Sequence, residues 1–148
     1  MSNDFHVTVA AVVERDGRYL LVEELIDGQL VYNQPAGHLE HGESLLDAVR
    51  REVLEETTCS FTPDALVGIY RWQQPASGDT FIRFCFVGSV SAPDPDRTLD
   101  PDIQRTLWLS AQEIAAKAEC LRSPLVQRCI DDAQRGCRHP LTLLSDLS

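Results

Sequence analysis

Apolar residues along this chain fall in short blocks whose spacing changes from strand-like to helix-like and back. Residues 5–14, FHVTVAAVVE, are apolar and rich in β-branched side chains, the pattern of a well-buried strand. An Asp-Gly turn signal at 16–17 follows, and residues 19–23 return as a second strand, closing a hairpin. A second Asp-Gly pair at 27–28 precedes a short strand over 30–33, after which Gln34, Pro35, Ala36 and Gly37 break regular structure and open a polar loop. From about Ser44 the period becomes helical. Leu45, Val49 and Val53 recur at i, i+4 and i+8, with Leu46 and Leu54 beside them, so an apolar stripe runs to about Thr57.

The second half repeats these signals. Residues 64–72 and 81–90 predict two strands joined by a loop at 73–79, and the Pro- and Asp-rich stretch 91–102 predicts a mobile surface loop. A short strand over 103–109 leads to Ser110 and Glu113, a capping box that starts a helix. Ser123 and Pro124, cap residue then proline in the first turn, start a last helix that runs to about Arg135 and stops near Gly136. The tail HPLTLLSDLS predicts a short apolar appendage docked on the body. Strands that do not alternate strictly with helices point to an α/β fold, a mixed β-sheet sandwiched between α-helices.

At 148 residues the chain is expected to form one domain with a core that needs no disulfide or metal staple. Its formal charge of −10 argues against a surface for a nucleic acid polymer, whose phosphates would be repelled. An acidic protein acting on small anionic phosphates needs local neutralisation instead, by metal ions and a few arginines. The five cysteines are odd in number and form no CxxC pair, and the start MSNDFHVTV is polar; both fit reduced, mostly packed cysteines in a cytoplasmic protein. No apolar run reaches membrane-spanning length, so no membrane partner is expected.

The polar side of the helix after Ser44 breaks local rules. Glu52, Glu55 and Glu56 stand three and four apart, which crowds three carboxylates onto one patch at ~5–6 Å between Cβ atoms. They also sit toward the helix C-terminus, where the dipole disfavours anions. Asp47 and Arg51 at i, i+4 offset only part of this. Such a patch is either plain solvated surface or a site completed by a cation. All-oxygen ligands on one rigid element suit Mg²⁺, with Mn²⁺ as the alternative, better than zinc.

The spacing across residues 37–59, GHLEHGESLLDAVRREVLEETTC, favours the second reading. It resembles the signature of the Nudix hydrolases: a glycine, five residues, Glu, seven residues, then Arg-Glu, an aliphatic, any residue and Glu-Glu. Gly37, Glu43, Arg51, Glu52, Val53, Glu55 and Glu56 match in register. Two positions depart, since Thr58 replaces the closing glycine and Cys59 an aliphatic residue. A β-branched Thr resists the left-handed conformation in which that glycine ends the helix. Beyond the box, YNQPAGHLE (32–40), RW and FIRF (71–72, 81–84), LRSPLV (121–126) and HPLTLL resemble the NudJ-type phosphatase branch, so the likeness touches most of the chain.

The resemblance implies a single Nudix domain over 1–148 that hydrolyses organic pyrophosphates with water and Mg²⁺. Carried over by position, Glu52, Glu55 and Glu56 ligate metal with the Gly37 carbonyl, and Glu52 or Glu55 serves as base. Glu43 and Arg51 are expected to brace the loop against the helix. Asp100 and Asp102 are candidates for a further acidic ligand. The branch implies nucleoside di- and triphosphates and thiamine-pathway diphosphates as substrates, with orthophosphate as a product. For the organic group, Trp72 and Tyr32 are candidate stacking rings and Arg83 a candidate phosphate contact; each has a plainer role in core, rim or surface pairing. His38 and His41 lie in the signature loop, with solvent exposure as their plain role. Alternatives are an ADP-ribose or nucleotide-sugar pyrophosphatase, to which Pro75 gives a faint pointer, and a non-catalytic nucleotide sensor. A sensor has no need of the full carboxylate set, and a serine or cysteine hydrolase would need a G-x-S-x-G elbow that the chain lacks. A monomer or a homodimer fits equally.

Overall fold

The unbroken apolar run near the N-terminus becomes the central strand of the sheet. In a computed structural model describing residues 3–148, it forms β1 (Phe5–Arg15), followed by β2 (Arg18–Ile26), β3 (Gln29–Asn33) and β4 (Ala36–His38). Next come α1 (Leu45–Thr57), β5 (Phe61–Gln73), β6 (Thr80–Val90), β7 (Ile103–Ser110), α2 (Ala111–Ala116) and α3 (Pro124–Gln134), with 3₁₀ turns at Ala118–Cys120 and Leu141–Leu143. The first two residues of the polar start lie outside the described part.

The sheet order is β3-β2-β1-β6-β5, with β4 added to β1 and β7 to β2. β1 and β6 run parallel and the remaining pairs antiparallel, so the sheet is mixed as the pattern predicts. Side chains of β1 divide between two cores. Val9, Ala11 and Val13 pack with Val49 and Val53 of α1, while Ala10 and Val12 pack with Cys129 and Ile130 of α3. A strand covered on both faces has no solvent side, which is why its sequence does not alternate. The sheet is therefore sandwiched between α1 and α3, an α/β fold.

Two elements differ from the pattern. Residues 36–38, within the stretch expected to be irregular, form β4 against β1, with Val9 opposite Gly37 and Thr8 opposite His38. Pairing with the rim of β1 makes this strand; its composition alone reads as a turn. β5 begins at Phe61, earlier than the pattern suggests, because it lies at the end of the sheet order and an edge strand tolerates Pro63.

Two caps agree with expectation: Ser110 and Glu113 form the reciprocal box, and Ser123 caps α3 with Pro124 in its first turn. At the start of α1, Ser44 also acts as a cap, accepting from the Asp47 N–H. The tail docks as expected, with Leu66 and His139 exchanging backbone hydrogen bonds of 2.9 and 2.8 Å. Cys59, Cys85 and Cys129 are buried and all five cysteines are free. Among the described residues no helix is long and apolar enough to cross a membrane.

The exit of α1 is the point of strain. Thr58 adopts the left-handed conformation after all (φ 61°, ψ 8°), and its N–H reaches Leu54 O at 2.9 Å. The cap survives because its surroundings impose it: Thr58 is buried, and its carbonyl accepts the Asp94 N–H at 3.0 Å. Thr58→Gly is expected to raise unfolding free energy in urea by roughly 0.5–1 kcal/mol, the steric relief less the extra freedom of an unfolded glycine. A loss of stability would contradict the strain.

Candidate active site

The helical stripe that buries Val49 and Val53 against the sheet turns Glu52 and Glu56 toward β4. Both carboxylate residues are buried, and each meets one residue of that strand. Glu56 Oε1 accepts the Ala36 N–H at 2.8 Å. The Glu52 carboxyl lies so close to Gly37 that a Cβ there would run into it. The glycine provides room for a carboxylate; its φ needs no special freedom.

Arg51 organises the outer half of the site. Its Nε and Nη2 grip Glu43 Oε2 and Oε1 at 2.9 and 2.7 Å, a bidentate pair. Nη2 also donates to the His38 carbonyl at 2.9 Å, while Nη1 donates to Glu52 Oε1 at 2.8 Å and Glu55 Oε2 at 3.2 Å. Glu43 in turn accepts the Glu40 N–H at 2.8 Å, tying the loop to the helix. These bonds to Arg51 hold the Glu43 carboxyl below its ordinary range, and the Arg51 guanidinium is firmly protonated. This is the bracing expected of the pair. Glu43→Gln is therefore expected to lower turnover by about 10-fold, since it acts on the carboxylates only through Arg51; a larger loss than that of Glu56→Gln would overturn the ranking.

Arg51 leaves the inner acids undercompensated. Burial pushes the Glu52 carboxyl up to about 7 against the counteracting Arg51 bond, with Glu55 and Asp100 adding to the rise. Burial pushes Glu56 up to about 9, and the neighbouring Glu52, Glu24 and Asp100 raise it further. Asp100, one of the two loop acids singled out in the sequence, is thus near the site, and its N–H donates to the Glu55 carbonyl at 3.1 Å. Asp102 acts instead on Glu24. Among the described residues no three His, Cys, Asp or Glu side chains are gathered closely enough to hold an ion as they stand, because Arg51 occupies the space between Glu52 and Glu55. The donor set nevertheless suits a hard divalent ion: carboxylate oxygens on one helix, two of them buried and repelled by further acids.

Ala36 and Gly37 also line a cavity of about 240 Å³. Trp72, Phe81, Arg83 and Arg122 line it as well. Arg83 is buried on β6, donating to Gln34 Oε1 at 2.7 Å and, more weakly, to Asn33 Oδ1 at 3.5 Å. Trp72 tilts against Phe81 at 5.8 Å between ring centroids, and His6 stacks on Phe81 at 4.6 Å. His6 is held by Asp79 at 2.9 Å and by His38 at 3.2 Å, so the cavity rim is braced from behind. Desolvation lowers the His38 pKa. His41 is exposed beside Glu40.

Of the predicted substrate contacts, the structure brings together Trp72 and Arg83 but not Tyr32. Tyr32 is buried in the α3-side core, its hydroxyl donates to Glu23 at 2.8 Å, and Lys117 lies over its ring. Its ring is thus taken up by the protein and faces no cavity wall. Phe81 and Arg122, which also line the cavity, fall within the stretches FIRF (81–84) and LRSPLV (121–126) but were not singled out individually as substrate contacts. A phenylalanine in a strand pattern reads as core, and the spacing of an arginine before a Ser-Pro helix start does not say what it faces.

The NUDIX domain family matches residues 4–129. The "Phosphatase NudJ" of Escherichia coli (strain K12) is 43% identical over 143 residues, covering 97% of this chain and 92% of that protein. The protein of the same name from Shigella sonnei (strain Ss046) is also 43% identical, with the same coverage. Among solved structures, a NUDIX hydrolase from Nitrosomonas europaea superposes with a TM-score of 0.93 at 52% identity, covering 96% of this chain and 97% of that one. A MutT NUDIX hydrolase from Burkholderia pseudomallei, at 20% identity and a TM-score of 0.69, shares the fold across 90% of this chain and 98% of its own.

Proposed function

Because the chain belongs to the Nudix hydrolase family, we propose that it is a Mg²⁺-dependent phosphatase of compact organic pyrophosphates: nucleoside di- and triphosphates and thiamine-pathway diphosphates, as in the NudJ-type branch. The observation that carries this reading is the buried pair Glu52 and Glu56, short of positive charge and in contact with Ala36 and Gly37, which line a cavity together with Arg83 and Arg122. Glu52, Glu55 and Glu56 would hold the ion, with Gly37 beside them and Mn²⁺ as a substitute. Bound there, the ion supplies charge neutralisation at the phosphate oxygens and a more acidic water.

The chain's own groups do the rest. Arg51 fixes Glu52 and Glu55, one of which accepts the proton of the attacking water. Glu43 holds Arg51 in place. Arg83 faces the phosphates, and Trp72 offers its ring to the organic group. The cytoplasm, where such metabolites occur, is the proposed location.

The test measures orthophosphate and pyrophosphate release with Mg²⁺ across thiamine diphosphate, hydroxymethylpyrimidine diphosphate, nucleoside di- and triphosphates and ADP-ribose. Fast orthophosphate release from the first groups is expected. Selective cleavage of ADP-ribose would keep the hydrolase and discard the phosphatase branch. Absence of turnover with any substrate or metal would make the chain a nucleotide-binding module.

A further inference from the structure

Two guanidinium groups line the cavity beyond the carboxylates, in a chain whose formal charge is −10. They are held very differently. Arg83 is buried, with its Nη atoms directed at Gln34 and Asn33, and its buried Nε has no hydrogen-bond partner. Arg122 comes from the turn before α3, and its main chain is fixed by a 2.8 Å hydrogen bond from its N–H to the Tyr32 carbonyl. Its side chain is loose. It is 47% exposed, and its Nη1 stands 3.8 Å from Glu24 Oε2, beyond hydrogen-bonding distance. With about half of its side chain in solvent and no hydrogen bond to the largely buried Glu24, the Arg122 guanidinium has room to turn toward a ligand in the cavity.

The start of α3 adds no donors of its own. Pro124 has no N–H, and the Leu125 and Val126 N–H groups are directed at the Ser123 hydroxyl and carbonyl. The positive charge of this wall is therefore side-chain charge, and both groups are of the type that grips phosphate oxygens with a planar fork. Glu24, which lines the same cavity, is the competing anion.

We propose that Arg122, backed by the buried Arg83, leaves Glu24 to bind the substrate phosphate next to the one attacked, and so selects compact molecules carrying two adjacent phosphates. The inference rests on the hydrolase function proposed above and adds a specificity residue to it. Arg122 acts in binding, away from the reacting atoms. Its loss should therefore raise KM and leave kcat nearly unchanged, whereas displaced carboxylates would lower kcat.

The experiment is calorimetric titration of the full chain with methylenediphosphonate, a non-hydrolysable P–C–P compound, in Mg²⁺. Arg122→Gln is expected to weaken binding roughly 10-fold or more, the effect of one charge-assisted hydrogen-bonding group. Arg122→Lys should lose less. Glu24→Gln should tighten binding, because it frees Arg122 and removes a repelling charge; this opposite sign separates the proposal from general damage to the fold. Wild-type affinity in Arg122→Gln, or weaker binding in Glu24→Gln, overturns the role of Arg122 while leaving the hydrolase reading intact. A wild-type chain that neither binds diphosphonate nor turns over any diphosphate overturns both.

Discussion

Glu56→Gln is expected to lower Mg²⁺-dependent turnover by roughly 10²-fold or more while the fold is kept. Glutamine retains the oxygen that accepts the Ala36 N–H, so β4 stays in place and only the charge is removed. That charge is costly without an ion. Burial first, and then Glu52, Glu24 and Asp100, push the carboxyl from its ordinary 4.5 up to about 9. The fold therefore keeps a proton that the unfolded chain has lost, and stability falls as pH rises from about 4.5 to about 9. Glu52, pushed up to about 7, adds to the fall over the lower part of that window. In chelated wild-type protein the melting temperature should decline from pH 5 toward pH 9; E56Q should flatten the decline, and Mg²⁺ should reverse it in the wild type alone. Near-native turnover by E56Q would sink the ligand assignment, and equal pH slopes in the two chelated proteins would sink the account of the buried charge.

What could be read from the sequence follows how local each feature is. The acids of α1, the Ser110 and Ser123 caps and the end of α3 near Gly136 are set within one or two helical turns, and spacing alone exposes them. The Glu43–Arg51 brace was legible through its fixed spacing in the signature. β4 was not, because Gln34 to Gly37 has the composition of a turn, and Ala36–His38 becomes a strand only by pairing with β1. Arg83 shows the same limit: a lone arginine in a strand reads as surface, and its burial beside Gln34 depends on the parallel register of β6 on β1. The burial of Tyr32 was likewise out of reach, since the partner of its hydroxyl, Glu23, is set by the pairing of β3 with β2. Thr58 was expected to resist the left-handed region, but the structure places it there, with backbone hydrogen bonds from the 94–100 loop to Thr58 and Glu55. Spacing along one helix can be read directly; which side chains meet across strands is fixed by the pairing.

Gly37→Ala separates position from charge at the same site. The added methyl group would enter the space of the Glu52 carboxyl, the far end of a flexible side chain, so the clash is relieved by moving that carboxyl and the backbone can stay. Gly37 has no left-handed φ, so alanine adds no backbone strain. Stability should therefore change little, while the Glu52 oxygens are driven off the position in which Arg51 Nη1 holds Oε1 at 2.8 Å. A displacement of about 1 Å in a catalytic constellation costs on the order of 10²-fold in rate. The expected result is a melting temperature near that of the wild type, a loss of turnover comparable to E56Q, and an increased requirement for Mg²⁺. Adding Glu52→Gln to Gly37→Ala should then cost little more, because the two changes remove one contribution. Additive losses in the double variant would mean that the glycine serves the site in another way than by making room for Glu52.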